Sequence, residues 1–332
     1  MISQLKSVAR SALYWVGLLG LLHRIRNRRT LTVFMFHRVL PRDSEAFRNA
    51  EREFTFSTEG FADTLAFVER HYQVVDHQTV HKWSCGAGDL PSRAALITFD
   101  DGWRDTLTFA LPILERYKMP SVLFLATEVI ALESDRWWQD LLVERLQARD
   151  AIDRIEAQLQ LPRIADSPRR THAVVAAVAA MPAPQRNSFL GMADDALERQ
   201  MLTRQDVNVL RKRMSIAGHG HTHAPLTAVA DPMAELATSR QQLQLIEADD
   251  WAMSFPHGAV APRELGMAFD CGYTLCYTSD ARIESTLPSR RARNTLGRLH
   301  VPENEWTCNS GRIAPAKLAT YLFFRPIGTC ST

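Results

Sequence analysis

The spacing of hydrophobic positions changes several times along the chain, and each change predicts an element. Near the N-terminus Leu5, Val8, Ala12, Trp15, Leu19 and Leu22 recur at three- and four-residue steps, the spacing of one helical face. "TLTVFMFHRVLP" (30–41) is a β-rich run stopped by Pro41. Helical spacing returns at Phe61, Leu65 and Val68, behind a Ser57/Thr58 cap with Glu59 in the first turn. "AALITFDDG" is apolar on both faces, as in a parallel sheet covered by helices. "WRDTLTFALPILERYKM" predicts the next helix, with Pro112 as a break or restart, and "PSVLFLAT" another strand. The repeated β–α–β order argues for a parallel α/β sheet or barrel.

Residues 131–212 break that rhythm with a series of helical stretches, read as a helical cap inserted between two barrel strands. "MSIAGHGHTHAPLT" resumes the core, "PMAELATSRQQLQLIEADD" is helical, and "WAMSFPHG" and "CGYTLCYTSD" are the last strands. The expected organisation is an N-terminal helix over 1–29, one domain over 30–320 with its insertion at about 131–212, and a tail over 321–332. The chain has 332 residues, enough for such a domain, and a formal net charge of +2. That charge gives no global field pointing to nucleic acid, which is not an expected partner. The five cysteines (Cys85, Cys271, Cys276, Cys308, Cys330) are scattered and include no CxxC pair. They imply neither a disulfide framework nor a cysteine zinc site, and a reducing compartment fits them best, with a single bridge left open.

The first 29 residues contain no acid. Lys6 and Arg10 precede the apolar run Ala12–Leu22, and Arg24, Arg26, Arg28 and Arg29 follow it. As a helix that run rises about 16 Å, well short of a bilayer core. Basic flanks around an amphipathic stretch with Trp and Tyr read as a helix lying in an anionic membrane surface. The cytoplasmic face of a bacterial inner membrane is the expected location. The rivals are an export signal or uncleaved anchor, placing the chain in the cell envelope, and a helix docked on the protein's own core. No small-x-small cleavage site follows the run.

Candidate chemistry sits in two stretches. Asp100 and Asp101 end an apolar strand and precede Gly102, at the strand edge where α/β barrels place catalytic groups. Two adjacent like charges there require something positive nearby, although acid–acid–Gly also marks ordinary turns. The second stretch, "AGHGHTHAPLT", holds His219, His221 and His223. Three histidines in five residues, with Gly218 and Gly220 allowing a tight fold, favour a metal site over a polar surface loop. Asp101, His219 and His223 make a two-histidine, one-carboxylate set with open positions, suited to Zn²⁺ and open to other first-row metals. Asp100 can then take a proton from a metal-activated water, and the metal supplies the missing positive charge.

"TFDDG" (98–102) and "HGHTH" (219–223) resemble the first two motifs of the polysaccharide deacetylases, the NodB-homology or carbohydrate esterase family 4. The resemblance covers roughly residues 31–130 and 214–302. It implies a distorted (β/α) barrel with a divalent metal, usually zinc, and hydrolysis of an N-acetyl group on a sugar. It further implies Asp100 as base, and Asp101, His219 and His223 as metal ligands. "SFPHG" (254–258) departs from the family's third motif and resembles a subgroup with "YP(Y/F)G", His257 taking the aromatic position. The arginine that would orient the base is therefore not identified there, and Arg298 in "LGRLHVP" is one candidate. For the general acid, His37 in "MFHRVLP" resembles a signature of the poly-N-acetylglucosamine deacetylases, and His300 in "RLHVP" is the rival. Trp103, Arg38, Pro256, His257, His221 and Arg298 are pocket candidates. Trp137 and Trp138 belong either on sugar rings or in helix packing. His71, His77, His81 and His172 are read as solvated.

The implied partner is an N-acetylated glycan. A second enzyme reading, suggested by the N-terminus, is removal of an acetyl or formyl group from a lipid-linked sugar in envelope glycan synthesis. A third reading, a carbohydrate- or lipid-binding protein with a degenerate site, is disfavoured by the intact Asp100, Asp101, His219 and His223. Nothing in the sequence specifies an oligomeric state.

Overall fold

The computed structural model describes residues 2–131, 137–146, 150–162, 167–191, 200–287, 294–308 and 311–328. Six strands form its frame: β1 (Thr30–Phe36), β2 (Ala94–Phe99), β3 (Ser121–Leu125), β4 (Ser215–Gly218), β5 (Ala252–Ser254) and β6 (Leu275–Thr278). Each pairs in parallel with the next in chain order. β7 (Ile283–Ser285) runs antiparallel to the start of β1. The segment that follows closes the curl. Its first half, β8 (Thr295–Gly297), pairs with β6, and its second half, β9 (Leu299–His300), pairs with β1. The result is the expected α/β architecture, a distorted (β/α) barrel of the NodB type.

The strands alternate between two cores. Leu31 and Val33 of β1, Leu96 of β2, Phe124 of β3 and Tyr277 of β6 fill the inner core, plugged by Val80 and Trp83 of the helix His77–Ser84. Phe34, Phe36, Ile97, Phe99, Leu123 and Leu125 face the surrounding helices. This explains why β2 reads as apolar on both faces: both are buried.

Between β3 and β4 lie the helices Trp138–Leu146, Ala151–Gln158, Ser167–Ala179, Ala183–Leu190 and Arg204–Leu210. They occupy the stretch read as an insertion. Its return is stitched to the turn after β2, where Arg104 donates to Gln200 O (2.8 Å) and Leu202 to Gly102 O (3.0 Å).

The N-terminal segment is not one continuous helix. α1 (Ile2–Trp15) and α2 (Leu18–Arg26) meet at Gly17, whose φ of +82° breaks the expected face. Tyr14, Leu19 and His23 turn inward, while Val8, Trp15 and Leu22 of the predicted stripe are exposed. The inward residues pack on α3 (Thr58–His71) and α4 (Pro315–Phe323), with the His23 ring stacked 4.0 Å from Phe323 and the Tyr14 ring 6.3 Å from Phe67. Asn27 and Arg26 donate to the Phe323 carbonyl (3.0 and 2.9 Å), satisfying the end of α4. Part of the segment is therefore docked on the protein's own core.

Two further expectations need correction. The boundary at 320/321 falls inside α4, whose Leu318, Ala319, Leu322 and Phe323 are buried. His71 and His77 are buried, not solvated. His77 Nδ1 lies 2.9 Å from Asp249, and its ring packs against Trp251. Cys85, Cys271 and Cys276 are free thiols, Cys308 donates to the Arg312 carbonyl at 3.1 Å, and Cys330 lies outside the described residues.

Burial, reinforced by neighbouring cations, pushes His23 down to about 3 and His71 down to about 4. Unfolded, both titrate near 6.5. Below that pH the unfolded chain binds protons the folded chain refuses, so stability falls as pH drops from about 6.5 towards 4. Thermal melts at pH 7 and pH 5 are expected to show a lower midpoint at pH 5, with a smaller loss in His71→Phe. An equal loss in that variant would remove His71 from the explanation.

Candidate active site

Alternation along β2 decides where the paired aspartates point. Thr98 and Asp100 share the inner face with Leu96. Asp101 would continue outward with Phe99, but its φ of +78° turns it back towards the barrel mouth. Gly102 completes the turn at φ +115°, and a Cβ there would meet Leu125 Cδ1 at 2.7 Å. Two other residues of the same mouth, His223 (φ +64°) and His257 (φ +56°), also hold left-handed backbone. Non-glycine residues tolerate this conformation only where the surrounding structure enforces it.

Asp100 is held by Arg298, which has 1% exposure. Its Nη1 donates to Oδ1 at 2.6 Å and its Nη2 to Oδ2 at 2.8 Å. Burial alone would raise the Asp100 carboxyl, but Arg298, with His219 and His37 helping, holds it below its ordinary value. The arginine is itself placed between the Thr278 carbonyl and the Phe124 ring, 5.3 Å away.

Asp101 uses its oxygens separately. Oδ2 accepts from the Trp103 indole at 2.9 Å. Oδ1 faces His223 Nε2 at 3.1 Å and His219 Nε2 at 3.5 Å. The opposite edges of both rings face hydrogen-bond acceptors. His219 Nδ1 lies 3.0 Å from the Ser254 carbonyl and 2.6 Å from the Ser254 hydroxyl; the carbonyl only accepts and the hydroxyl can accept, so a proton on Nδ1 suits both. For His223, Gln139 Nε2 donates to the His223 carbonyl at 3.0 Å, so the Oε1 facing Nδ1 at 2.5 Å is an acceptor. With Nδ1 as the donor, each ring in its neutral form presents an Nε2 lone pair towards a carboxylate oxygen. Burial disfavours charging His223, although Asp101 opposes that shift. Three buried ligand atoms from Asp101, His219 and His223 lie within 4.8 Å of one another. Converging lone pairs repel unless a cation sits among them, so this donor set fits a divalent metal.

The remaining predicted residues separate into two groups. His37 places Nε2 4.0 Å from Asp100 Oδ2, and its buried Nδ1 has no hydrogen-bond partner among the described residues. His300 engages the Glu53 carbonyl through Nε2 (3.1 Å), with its ring 6.1 Å from that of His37. Both line a cleft of about 1610 Å³, together with Arg38, Trp103 and His257. Arg38 lies 3.8 Å over the Trp103 ring and donates to Asp105 at 2.9 Å. Arg298 and Pro256 do not line the cleft: the arginine lies behind Asp100, and Pro256 packs against Gly220. His221 turns away from it, bonding Thr127 Oγ1 at 2.9 Å, while Glu235 anchors the loop through the His221 and Thr222 amides. The insertion contributes Trp137 and His172 to the wall, and both Trp137 and Trp138 are buried.

The sequence reading missed Gln139 and Ser254 and gave Trp103 no definite role. No spacing rule links Gln139 to a histidine 84 positions away. Ser254 stands one position before the stretch aligned with "YP(Y/F)G", so that resemblance gives it no role.

Residues 87–157 match the family described as Polysaccharide deacetylase, a stretch that contains both aspartates and ends before the histidines. No curated protein matches the chain. Among solved structures, the fold is similar to the Streptococcus pyogenes deacetylase PplD in complex with acetate. The TM-score is 0.57 at 16% identity, covering 88% of this chain and 98% of that one. A de-N-acetylase from Aggregatibacter actinomycetemcomitans gives 0.56 at 15%, over 88% and 100%. IcaB from Ammonifex degensii gives 0.54 at 16%, over 88% and 97%. The fold is that of the NodB-type deacetylases, and the chain resembles the polysaccharide deacetylases in sequence and structure.

Two substitutions test the supporting shell. Gln139→Leu keeps the packing volume but removes the acceptor for His223 Nδ1–H, and the affinity of the Asp101, His219 and His223 set for an added divalent cation is expected to fall by about 10-fold or more in a chelator-competition titration. Arg298→Met leaves Asp100 buried without its partner and is expected to cost about 3–5 kcal/mol in denaturant unfolding. Adding Asp100→Asn is expected to recover much of that loss.

Proposed function

We propose that the chain is a metal-dependent deacetylase that hydrolyses N-acetyl groups on a glycan. The observation that carries the reading is the convergence of Asp101, His219 and His223 beside an ionised Asp100, at the mouth of a barrel similar in fold to known deacetylases. A divalent cation, most simply Zn²⁺, held by Asp101, His219 and His223 would supply Lewis acidity and lower the pKa of a water. Asp100 is the base for that water. Arg298 keeps it ionised and fixed by a two-point contact, so the proton is accepted from a defined direction. Loss of the acyl group breaks the C–N bond, and the departing nitrogen must gain a proton. His37 is its donor: burial holds its ring down at about 4, so it enters neutral, and with Nε2 4.0 Å from Asp100 Oδ2 a small rotation of the ring brings it within reach of the proton taken from water. The products are acetate and a free amine. His300 is less suited to this step, because its Nε2 already engages the Glu53 carbonyl.

The cleft exceeds the roughly 300–1,000 Å³ of ordinary small-molecule pockets and is open to several sugar units. Arg38 over Trp103 offers a flat polar wall beside the reacting centre.

Acetate release from a panel of N-acetylated oligosaccharides, with and without a chelator, tests the assignment. The expected result is chelator-sensitive release by the parent chain. Asp100→Asn is expected to lose it by at least about 100-fold while retaining metal, and His223→Ala to lose both. Full activity in either variant would defeat the assigned roles.

A further inference from the structure

We infer that α2 and the end of α1 form a docking face for the surface of a bilayer bearing anionic lipid headgroups. The fold uses one side of α2. Leu19, His23 and Asn27 are buried against α3 and α4. The other side carries Leu18, Leu21, Leu22 and Ile25, at steps of three, one and three, all exposed. Leu21 and Ile25 on this second face leave most of their surface to solvent, whereas a surface helix normally turns polar residues to water. Trp15 (67% exposed) and Val16 (77%) extend the same apolar surface across the Gly17 break.

The charge around this face selects the occupant. Arg24, Arg28 and Arg29 are exposed, Arg70 of α3 stands nearby with its guanidinium 6.0 Å from the Tyr14 ring, and no acidic residue occurs before Asp43. A second copy of the chain in a two-fold contact would bring these arginines together, which disfavours it. A surface of anionic headgroups satisfies the arginines while its acyl boundary receives Trp15, Leu21, Leu22 and Ile25. The segment lies on the membrane and does not cross it: no helix among the described residues is long and apolar enough to span. α2 leads into the start of β1, and His37 follows the end of that seven-residue strand, so about 23 Å of strand separates this face from the catalytic mouth. The docking does not depend on the deacetylase assignment.

Co-sedimentation of the full chain with vesicles tests it, using phosphatidylcholine alone and phosphatidylcholine mixed with phosphatidylglycerol. The expected result is binding to the mixed vesicles only, weakened by added salt. It should fall at least tenfold in Leu21→Gln/Ile25→Gln, with acetate release from a soluble substrate and the melting temperature unchanged. Absence of binding, equal binding to neutral vesicles, or full binding by the double variant would overturn it. A dimer abolished by that same variant would assign the face to a second copy instead.

Discussion

Two carboxylates on consecutive residues, both buried at the end of one strand, are the constraint around which the barrel mouth is arranged. Neither charge is tolerable there alone. The fold answers them separately. Asp100 receives a buried arginine from the segment that closes the barrel, in a two-point contact that a lysine would not reproduce. Asp101 receives one indole N–H on one oxygen and turns the other towards the Nε2 edges of two imidazoles. That asymmetry gives a pair of like residues different surroundings: one carboxylate clamped by a guanidinium, the other facing two ring nitrogens.

Backbone strain separates the pair. A regular strand would send Asp101 to the helix side, and the left-handed turn at Asp101 and Gly102 prevents this. The turn is secured from two directions. Ala126 donates to the Asp101 carbonyl at 3.0 Å, and the return of the helical insertion pairs with residues 102–104. The insertion also supplies Gln139 to His223 and Trp137 to the cleft wall. It is thus part of the site's support, and its loss would free the His223 ring as well as reshape a groove.

How much of this was legible follows from range. Strand and helix periods are local, so the parallel frame and the position of the insertion could be read from hydrophobic spacing. "DDG" and "HGHTH" each concentrate unusual chemistry in a few residues, so their pairing was visible across more than a hundred positions. Arg298 could be named as a candidate but not placed, because nothing local distinguishes an arginine behind a base from one at a cleft wall. Gln139 was invisible for a deeper reason: an amide that orients a histidine has no sequence signature of its own. His71 and His77 failed differently. Their place in helical or linker stretches suggested exposure, yet both rings fill space beside aromatic residues, where neutral imidazole behaves as a flat, weakly polar core group.

The N-terminal segment shows where periodicity misleads even when the element type is right. One helical wheel through residues 5–22 assumes a continuous axis. The break at Gly17 shifts the phase, so that Leu19 goes inward while Trp15 and Leu22 stay out. The docked and surface-seeking readings, set against each other in the sequence, then describe opposite sides of the same helix. Burial of His23 between α3 and α4 fixes the orientation of α2, and a fixed orientation presents Leu18, Leu21, Leu22 and Ile25 as one stripe. A freely hinged helix could turn that stripe inward; one clamped by the Phe323 ring and the Asn27 contact to its carbonyl must leave it outside.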